Sequence, residues 1–106
     1  MSKLNEIHDE NNRKNQQYYY RIHGRVQGVG FRNWLEDLAQ PLGVDGFCRN
    51  LSDGTVELVA KAPDEEVLTT LEEKLNKGPW AARVDRVDKS AWKDEIQKGF
   101  EILPTK

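Results

Sequence analysis

Cysteine and long apolar runs are scarce in this 106-residue chain, and each scarcity excludes a class of protein. The single cysteine, Cys48, excludes an intramolecular disulfide and a cysteine-based zinc site, which needs several ligands at set spacings. No stretch approaches the roughly 18 apolar residues of a membrane span, and no apolar run follows the N-terminus as in a signal peptide. We therefore expect a soluble, cytoplasmic protein with no membrane partner.

An excess of positive charge is also missing. The chain has 16 lysine and arginine residues against 18 aspartate and glutamate residues, so its formal net charge is -2 at pH 7. A protein that binds nucleic acid by neutralising phosphates is normally basic, so we expect no nucleic-acid partner. The length predicts one domain that buries its own core without disulfides or metals.

The first 17 residues are poor in apolar side chains. Met1, Leu4 and Ile7 are the apolar residues of this segment, and the others are mainly Asn, Gln and charged residues. These three could share one helical turn, but they cannot form a core. We predict a disordered tail over 1–17, with a docking peptide as the alternative, and a folded domain over 18–103.

The predicted domain begins with two different hydrophobic periodicities. Residues 18–26 alternate between apolar and polar side chains, which predicts a half-buried strand. A glycine-rich turn follows at 27–30. Apolar residues then recur at helical spacing, which predicts an amphipathic helix that ends at Pro41 and Gly43. The residues of this stripe are Phe31, Trp34, Leu35, Leu38 and Leu42.

The middle of the chain predicts a hairpin and a second helix. Residues 45–50 and 55–61 are typical of two short strands, and the Ser-Asp-Gly segment at 52–54 is typical of the turn between them. Pro63 suits the first position of a helix, and the acidic residues after it complement the helix dipole. Gly78 and the proline after it stop this helix.

The end of the chain predicts two more strands. The first covers about 82–87, where Val84 and Val87 are three residues apart, which indicates a bulge. The second is a short edge strand over 99–103. The order β-α-β-β-α-β predicts an α+β, ferredoxin-like fold, in which two helices pack on one face of an antiparallel sheet. That fold serves many functions and does not by itself indicate one.

The turn from the first strand into the first helix, residues 24–32, has the features of an anion site. Such a turn leaves backbone N–H groups unpaired, and the positive end of the helix dipole adds to them. Gly28 and Gly30 let the backbone approach an anion closely. Arg32 lies in the first helical turn, where a bound anion would offset the unfavourable position of its charge. The alternative is a tight connection with a solvated arginine.

Two motifs resemble those of the acylphosphatase family. The run Gly-Arg-Val-Gln-Gly-Val-Gly-Phe-Arg at 24–32 is similar to the signature nonapeptide of that family. Arg-Asn at 49–50, followed by Asp-Gly-Thr-Val-Glu at 53–57, is similar to its second signature, although this hairpin alone is an ordinary turn. Gly-Pro at 78–79 and Ala-Arg-Val at 82–84 also match the pattern.

The resemblance covers about residues 20–88, and it has departures. Phe47 and Cys48 stand where Trp-Val is usual, and Leu35 stands where threonine is frequent. The N-terminal tail is longer than usual. None of these departures touches the two residues to which the resemblance assigns chemical roles, Arg32 and Asn50.

The resemblance implies hydrolysis of the carboxyl–phosphate anhydride of an acyl phosphate to a carboxylate and inorganic phosphate. Arg32 and the loop over 27–31, through its backbone N–H groups, would hold the phosphate, and Asn50 would orient the attacking water. The residues implied to bind phosphate are Gln27, Gly28, Val29, Gly30, Phe31 and Arg32. We expect no metal or cofactor, a small-molecule substrate, inorganic phosphate as product and competitive inhibitor, and a monomer.

Several alternatives stay open at this point. The chain could bind a phosphate or carboxylate without turnover, or recognise RNA, or be related to the N-terminal domain of the longer hydrogenase-maturation carbamoyltransferases. Strand 55–61 has no aromatic residue for stacking bases, which disfavours RNA. We expect His23 on the surface, Cys48 as a buried small hydrophobe, and the tyrosines at 18–20 at a sheet edge.

Overall fold

The computed structural model describes residues 16–106, which form five strands and two helices. Along the chain these are β1 (Gln17–Arg25), α1 (Phe31–Leu42), β2 (Asp45–Asn50), β3 (Val56–Lys61), α2 (Glu65–Lys77), β4 (Arg83–Ala91) and β5 (Phe100–Ile102). The predicted element order and the short final strand are confirmed. The tail predicted for the segment before residue 16 lies outside the described residues.

The strands form one sheet in the order β4-β1-β3-β2-β5. The sheet is mostly antiparallel, as predicted, with one parallel pair formed by β2 and β5. Because β1 and β2 are each antiparallel to β3, they run in the same direction. The glycine-rich turn after β1 and the last residue of β2 therefore meet at the same end of the sheet.

One hydrophobic core lies between the two helices and one face of the sheet. It follows the predicted periodicities: every second residue of β1 and β3 contributes, as do residues at helical spacing from both helices. The buried cluster comprises Tyr20, Ile22, Val26, Phe31, Leu35, Ala39, Val44, Cys48, Val56, Leu58, Ala60, Leu71, Leu75 and Phe100. No helix in the part of the chain that the structure describes is long and apolar enough to cross a membrane.

Two differences from the predicted element boundaries have a clear physical cause. The side chain of Asp64 caps α2 by accepting a 2.8 Å hydrogen bond from the backbone N–H of Val67. Pro63 therefore precedes the cap instead of occupying the first helical position. β4 continues to Ala91, beyond the predicted end at Val87, because its polar and mostly exposed second half pairs with β1 without an apolar pattern.

The predicted bulge is present in β4. The pairing register of β1 with β4 shifts between His23 and Gly24, and Asp85 is the extra residue. The bulge places Val84 and Val87 on the half-buried side of the strand even though they are three residues apart. A regular strand would have turned one of them to the other face.

The fold extends past the predicted limits of 18–103 at both ends. Gln16 is buried, and Gln17 is the first residue of β1. The side-chain amide of Gln17 donates a 2.8 Å hydrogen bond to the carbonyl oxygen of Trp92. At the other end, the backbone N–H of Lys106 donates to the carbonyl oxygen of Asn50 at 3.0 Å. Hydrogen bonds to main-chain carbonyl oxygens, which composition does not indicate, fix both ends.

The sheet face opposite the helices carries a second, more polar layer. Glu57 is 8% exposed there, and its carboxylate pairs with Arg49 and accepts a 2.8 Å hydrogen bond from the Tyr19 hydroxyl. The Trp92 ring stacks on Tyr19 at 6.1 Å between centroids. The prediction that the tyrosines at 18–20 cover a sheet edge is wrong, because β1 is an inner strand.

Candidate active site

The turn after β1 delivers free backbone N–H groups at the start of α1. Gly30 is the N-cap of α1, with a φ of 77° that glycine adopts without strain, and as a glycine it makes no side-chain cap. The first helical hydrogen bond runs from the Trp34 N–H to the Gly30 carbonyl oxygen at 3.0 Å. The N–H groups of the three residues between them, 31–33, therefore have no partner within the helix. They are donors for a ligand at this helix start.

A cavity of about 230 Å³ opens at this helix start. Its lining joins the glycine-rich loop, the first turn of α1 and the end of β2. The lining residues are Val26, Gly28, Gly30, Phe31, Arg32, Asn33 and Asn50. The volume is below that of sites for drug-sized ligands and suits a small anion.

Two larger cavities lie at the opposite end of the sheet. One, of about 480 Å³, lies beside the start of β2 and the segment before β5. The other, of about 680 Å³, lies beside the start of β1 and the end of β4. Neither lining includes a residue of the predicted site, so chemical character rather than size identifies the smaller cavity as the candidate site.

Arg32 supplies the positive charge of the candidate site. Its guanidinium forms no salt bridge and no side-chain hydrogen bond with residues 16–106. The positive end of the helix dipole opposes a cation in the first turn of α1, and no acidic residue in that turn offsets this effect. The guanidinium is therefore available to bind two oxygens of one anion, and such an anion would offset the unfavourable dipole interaction.

Asn50 supplies an unpaired acceptor on the other side of the cavity. The residue is 8% exposed, and its Oδ1 atom is buried without a hydrogen-bond partner among residues 16–106. Buried polar atoms in native proteins are almost always paired, either with protein or with water. Asn50 is one of the cavity's lining residues, so its unpaired Oδ1 atom is the candidate acceptor for a water molecule bound at this site.

The structure separates the predicted phosphate-binding residues into two groups. Gly28, Gly30, Phe31 and Arg32 line the cavity, whereas Gln27 and Val29 do not. Val29 packs against the hydrophobic core. The side chain of Gln27 faces the β2–β3 hairpin, as described below, so its contribution through backbone N–H stays a prediction.

Two lining residues are absent from the sequence prediction. Asn33 follows Arg32 in the first turn of α1. A polar residue at that position of the motif is a sequence feature that could have indicated a place in the site. Val26 lies just after β1 and is 1% exposed. Its apolar character indicates core packing, so the sequence gives no sign that it also borders the cavity.

Two other reactive side chains lie outside this lining, as predicted. His23 Nε2 is 3.0 Å from Asp88 Oδ2 and 3.2 Å from a guanidinium nitrogen of Arg86, on the face opposite the helices. Cys48 is fully buried, and burial raises the pKa of its thiol to about 12, although the charge of Arg32 opposes the shift.

Comparisons with known proteins identify the family of this chain. The family model described as Acylphosphatase matches residues 18–102. The curated acylphosphatase of Nitratidesulfovibrio vulgaris (strain DP4) is 53% identical over 86 residues, which cover 78% of this chain and 85% of the relative.

Solved structures show the same likeness. An acylphosphatase from Coxiella burnetii matches with a TM-score of 0.77 and 34% identity, and the match covers 85% of this chain and 95% of that one. The acylphosphatase from Bacillus subtilis matches with a TM-score of 0.75 and 31% identity, over 82% of this chain and 97% of that one. The chain belongs to the acylphosphatase family, as its two motifs predict.

Proposed function

We propose that this chain hydrolyses acyl phosphates to a carboxylate and inorganic phosphate. One observation carries the proposal: a single small cavity is lined by the start of α1 with its free N–H groups, by Arg32 and by Asn50. Among residues 16–106 the Arg32 guanidinium and the Asn50 Oδ1 atom have no hydrogen-bond partner. A cation with N–H donors suits a phosphate, and a separate buried acceptor suits a water molecule.

Phosphate binding is the first step. The Arg32 guanidinium donates two parallel hydrogen bonds to non-bridging oxygens, and the backbone N–H groups of residues 31–33 donate to the same group. These donors are fixed by the helix start before the substrate arrives. They stabilise the charge on the phosphoryl oxygens in the transition state without further reorganisation.

Water attack is the second step. Asn50 Oδ1 accepts one hydrogen of the water and aims its oxygen at phosphorus, opposite the bond to the carboxylate oxygen. The new O–P bond forms as that bond breaks, and the electron pair leaves with the carboxylate. A neutral amide is a poor base, so the proton of the water passes to a phosphoryl oxygen of the substrate. The loose transition state makes positioning the main requirement.

The leaving group explains why so few side chains suffice. A carboxylate is stable without protonation, so the reaction needs no general acid. Inorganic phosphate, the product, would occupy the same donors and compete with the substrate. Action as a monomer and a cytoplasmic location stay predictions from the sequence.

The test compares phosphate release from acetyl phosphate and from p-nitrophenyl phosphate, in water enriched in ¹⁸O. We expect turnover of acetyl phosphate, far slower release from the monoester, and ¹⁸O in the phosphate rather than in the acetate. Arg32→Ala controls for a contaminating phosphatase. Phosphate binding without turnover would contradict the proposal and favour a binding module.

A further inference from the structure

The side chain of Gln27 connects the glycine-rich turn over 27–30, called the phosphate loop below, to the hairpin that carries Asn50. Its Nε2 atom donates two hydrogen bonds of 2.8 Å, one to the carbonyl oxygen of Leu51 and one to that of Thr55. Leu51 directly follows Asn50, and Thr55 directly precedes Val56, the β3 partner of Asn50. One acceptor thus follows Asn50 at the end of β2, and the other precedes its partner Val56 at the start of β3.

The hairpin turn does not need Gln27 to close. The Leu51 N–H donates to the Thr55 carbonyl oxygen at 2.9 Å, and the Gly54 N–H donates to the Leu51 carbonyl oxygen at 3.1 Å. Each acceptor of Gln27 therefore already has a backbone donor. What the Gln27 amide adds is a link between two elements that are distant in sequence but share one cavity.

We propose that Gln27 is a positioning residue: it holds Asn50 at a fixed distance from Arg32 and from the free N–H groups at the start of α1. This inference rests on the proposed function. A water held by Asn50 must lie in line with the bond that breaks, and displacement of a reacting group by about 1 Å can lower the rate about 10²-fold. Phosphate binding depends on Arg32 and the helix start, which Gln27 does not contact through its side chain.

Gln27→Met tests the proposal, because methionine has nearly the same length and shape but donates no hydrogen bond. We expect kcat on acetyl phosphate to fall about tenfold or more, with inhibition by inorganic phosphate changed less than about threefold. Arg21→Met is the matched control. Arg21 also binds the hairpin, through Thr55 Oγ1 at 3.0 Å and Asp53 Oδ2 at 2.5 Å, but from β1 rather than from the phosphate loop. We expect this control to keep kcat within about twofold.

A double-mutant cycle separates positioning from a structural effect. If Gln27 acts through Asn50, then Gln27→Met should lower kcat in the parent chain but change it less than about twofold in an Asn50→Ala background. An equal loss in both backgrounds would overturn the proposal, and so would an unchanged kcat in Gln27→Met or an equal loss of phosphate affinity. The parent and Asn50→Ala turnover rates test the proposed function independently of Gln27.

Discussion

The backbone N–H of Lys106 donates a 3.0 Å hydrogen bond to the carbonyl oxygen of Asn50. On its other side, Asn50 pairs with Val56 of β3. Both contacts use the main chain, whereas the side-chain Oδ1 atom has no hydrogen-bond partner among residues 16–106. The backbone position of Asn50 therefore does not depend on its side chain, and truncation of the amide should not disturb the fold.

Asn50→Ala should remain folded, bind inorganic phosphate with near-parent affinity and lose at least about 10²-fold in kcat. The size of the loss is that of removing one well-placed polar group from a transition state. Calorimetry with phosphate and turnover of acetyl phosphate on one preparation measure both quantities. Asn76→Ala, which changes an exposed asparagine on α2, is the control. A parallel collapse of phosphate affinity would make Asn50 a phosphate ligand instead.

Arg32→Lys should lose most turnover and at least about tenfold in phosphate affinity, although the charge is kept. A lysine ammonium cannot form the two parallel hydrogen bonds of a guanidinium. Arg83→Lys is the control, because Arg83 is exposed and bonds to Asp85 on its own strand at 3.0 Å. Phosphate inhibition constants for the three chains decide the question. Retained affinity in Arg32→Lys would mean that Arg32 acts only as a point charge.

His23→Gln should keep kcat and KM within about twofold of the parent values. The imidazole lies between Asp88 and Arg86 on the sheet face opposite the helices and does not line the cavity. Single surface substitutions of this kind change stability by about 0.5 kcal/mol or less. Steady-state kinetics from pH 5 to pH 8 provide the check. A large loss of kcat would require a proton-transfer role for His23.

Cys48 should make the chain less stable in alkali. Burial raises the pKa of its thiol from 9.0 to about 12, so the unfolded chain loses its proton at lower pH than the folded chain. The Cys48 contribution is therefore complete below pH 9 and declines as pH rises towards 12, by about 1.4 kcal/mol per pH unit.

The measurement for Cys48 is urea unfolding at pH 8 and pH 10. Burial and the Glu72 carboxylate also raise the pKa of the Tyr20 hydroxyl, which adds to alkaline loss. We expect Cys48→Ala to lose less stability than the parent chain between these pH values, since both chains retain Tyr20. Equal slopes would show that the thiol titrates alike in the folded and unfolded chains.

Sequence periodicity was sufficient to predict the helices and strands, but not which side chains from neighbouring strands contact one another. The alternation over β1 and the helical stripe of α1 depend on local spacing, so both were predictable. Glu57 was not, because a charged residue between Val56 and Leu58 indicates a solvent-facing position. Its burial depends on Tyr19 and Arg49 from the two neighbouring strands, and sequence alone does not reveal which strands are neighbours.

The candidate site, too, was predictable in part: its motif residues were, but the contacts between distant segments were not. Gly28, Gly30, Arg32 and Asn50, which two short motifs indicate, line one cavity, and their roles stay predictions. The two bonds of Gln27 to the hairpin were missed. Its position in the first motif suggested a backbone role, and only the tertiary approach of a segment 24 residues later gives its amide other partners.

The bulge at Asp85 has a consequence for how the chain behaves at high concentration. β4 forms one edge of the sheet, and the bulge interrupts the regular row of N–H and C=O groups that a strand from a second molecule would need. The other edge, β5, is only three residues long. Within residues 16–106, the bulge leaves β4 a regular stretch of six residues, 86–91, so any strand-to-strand aggregation of the native state is limited to short templates at both edges.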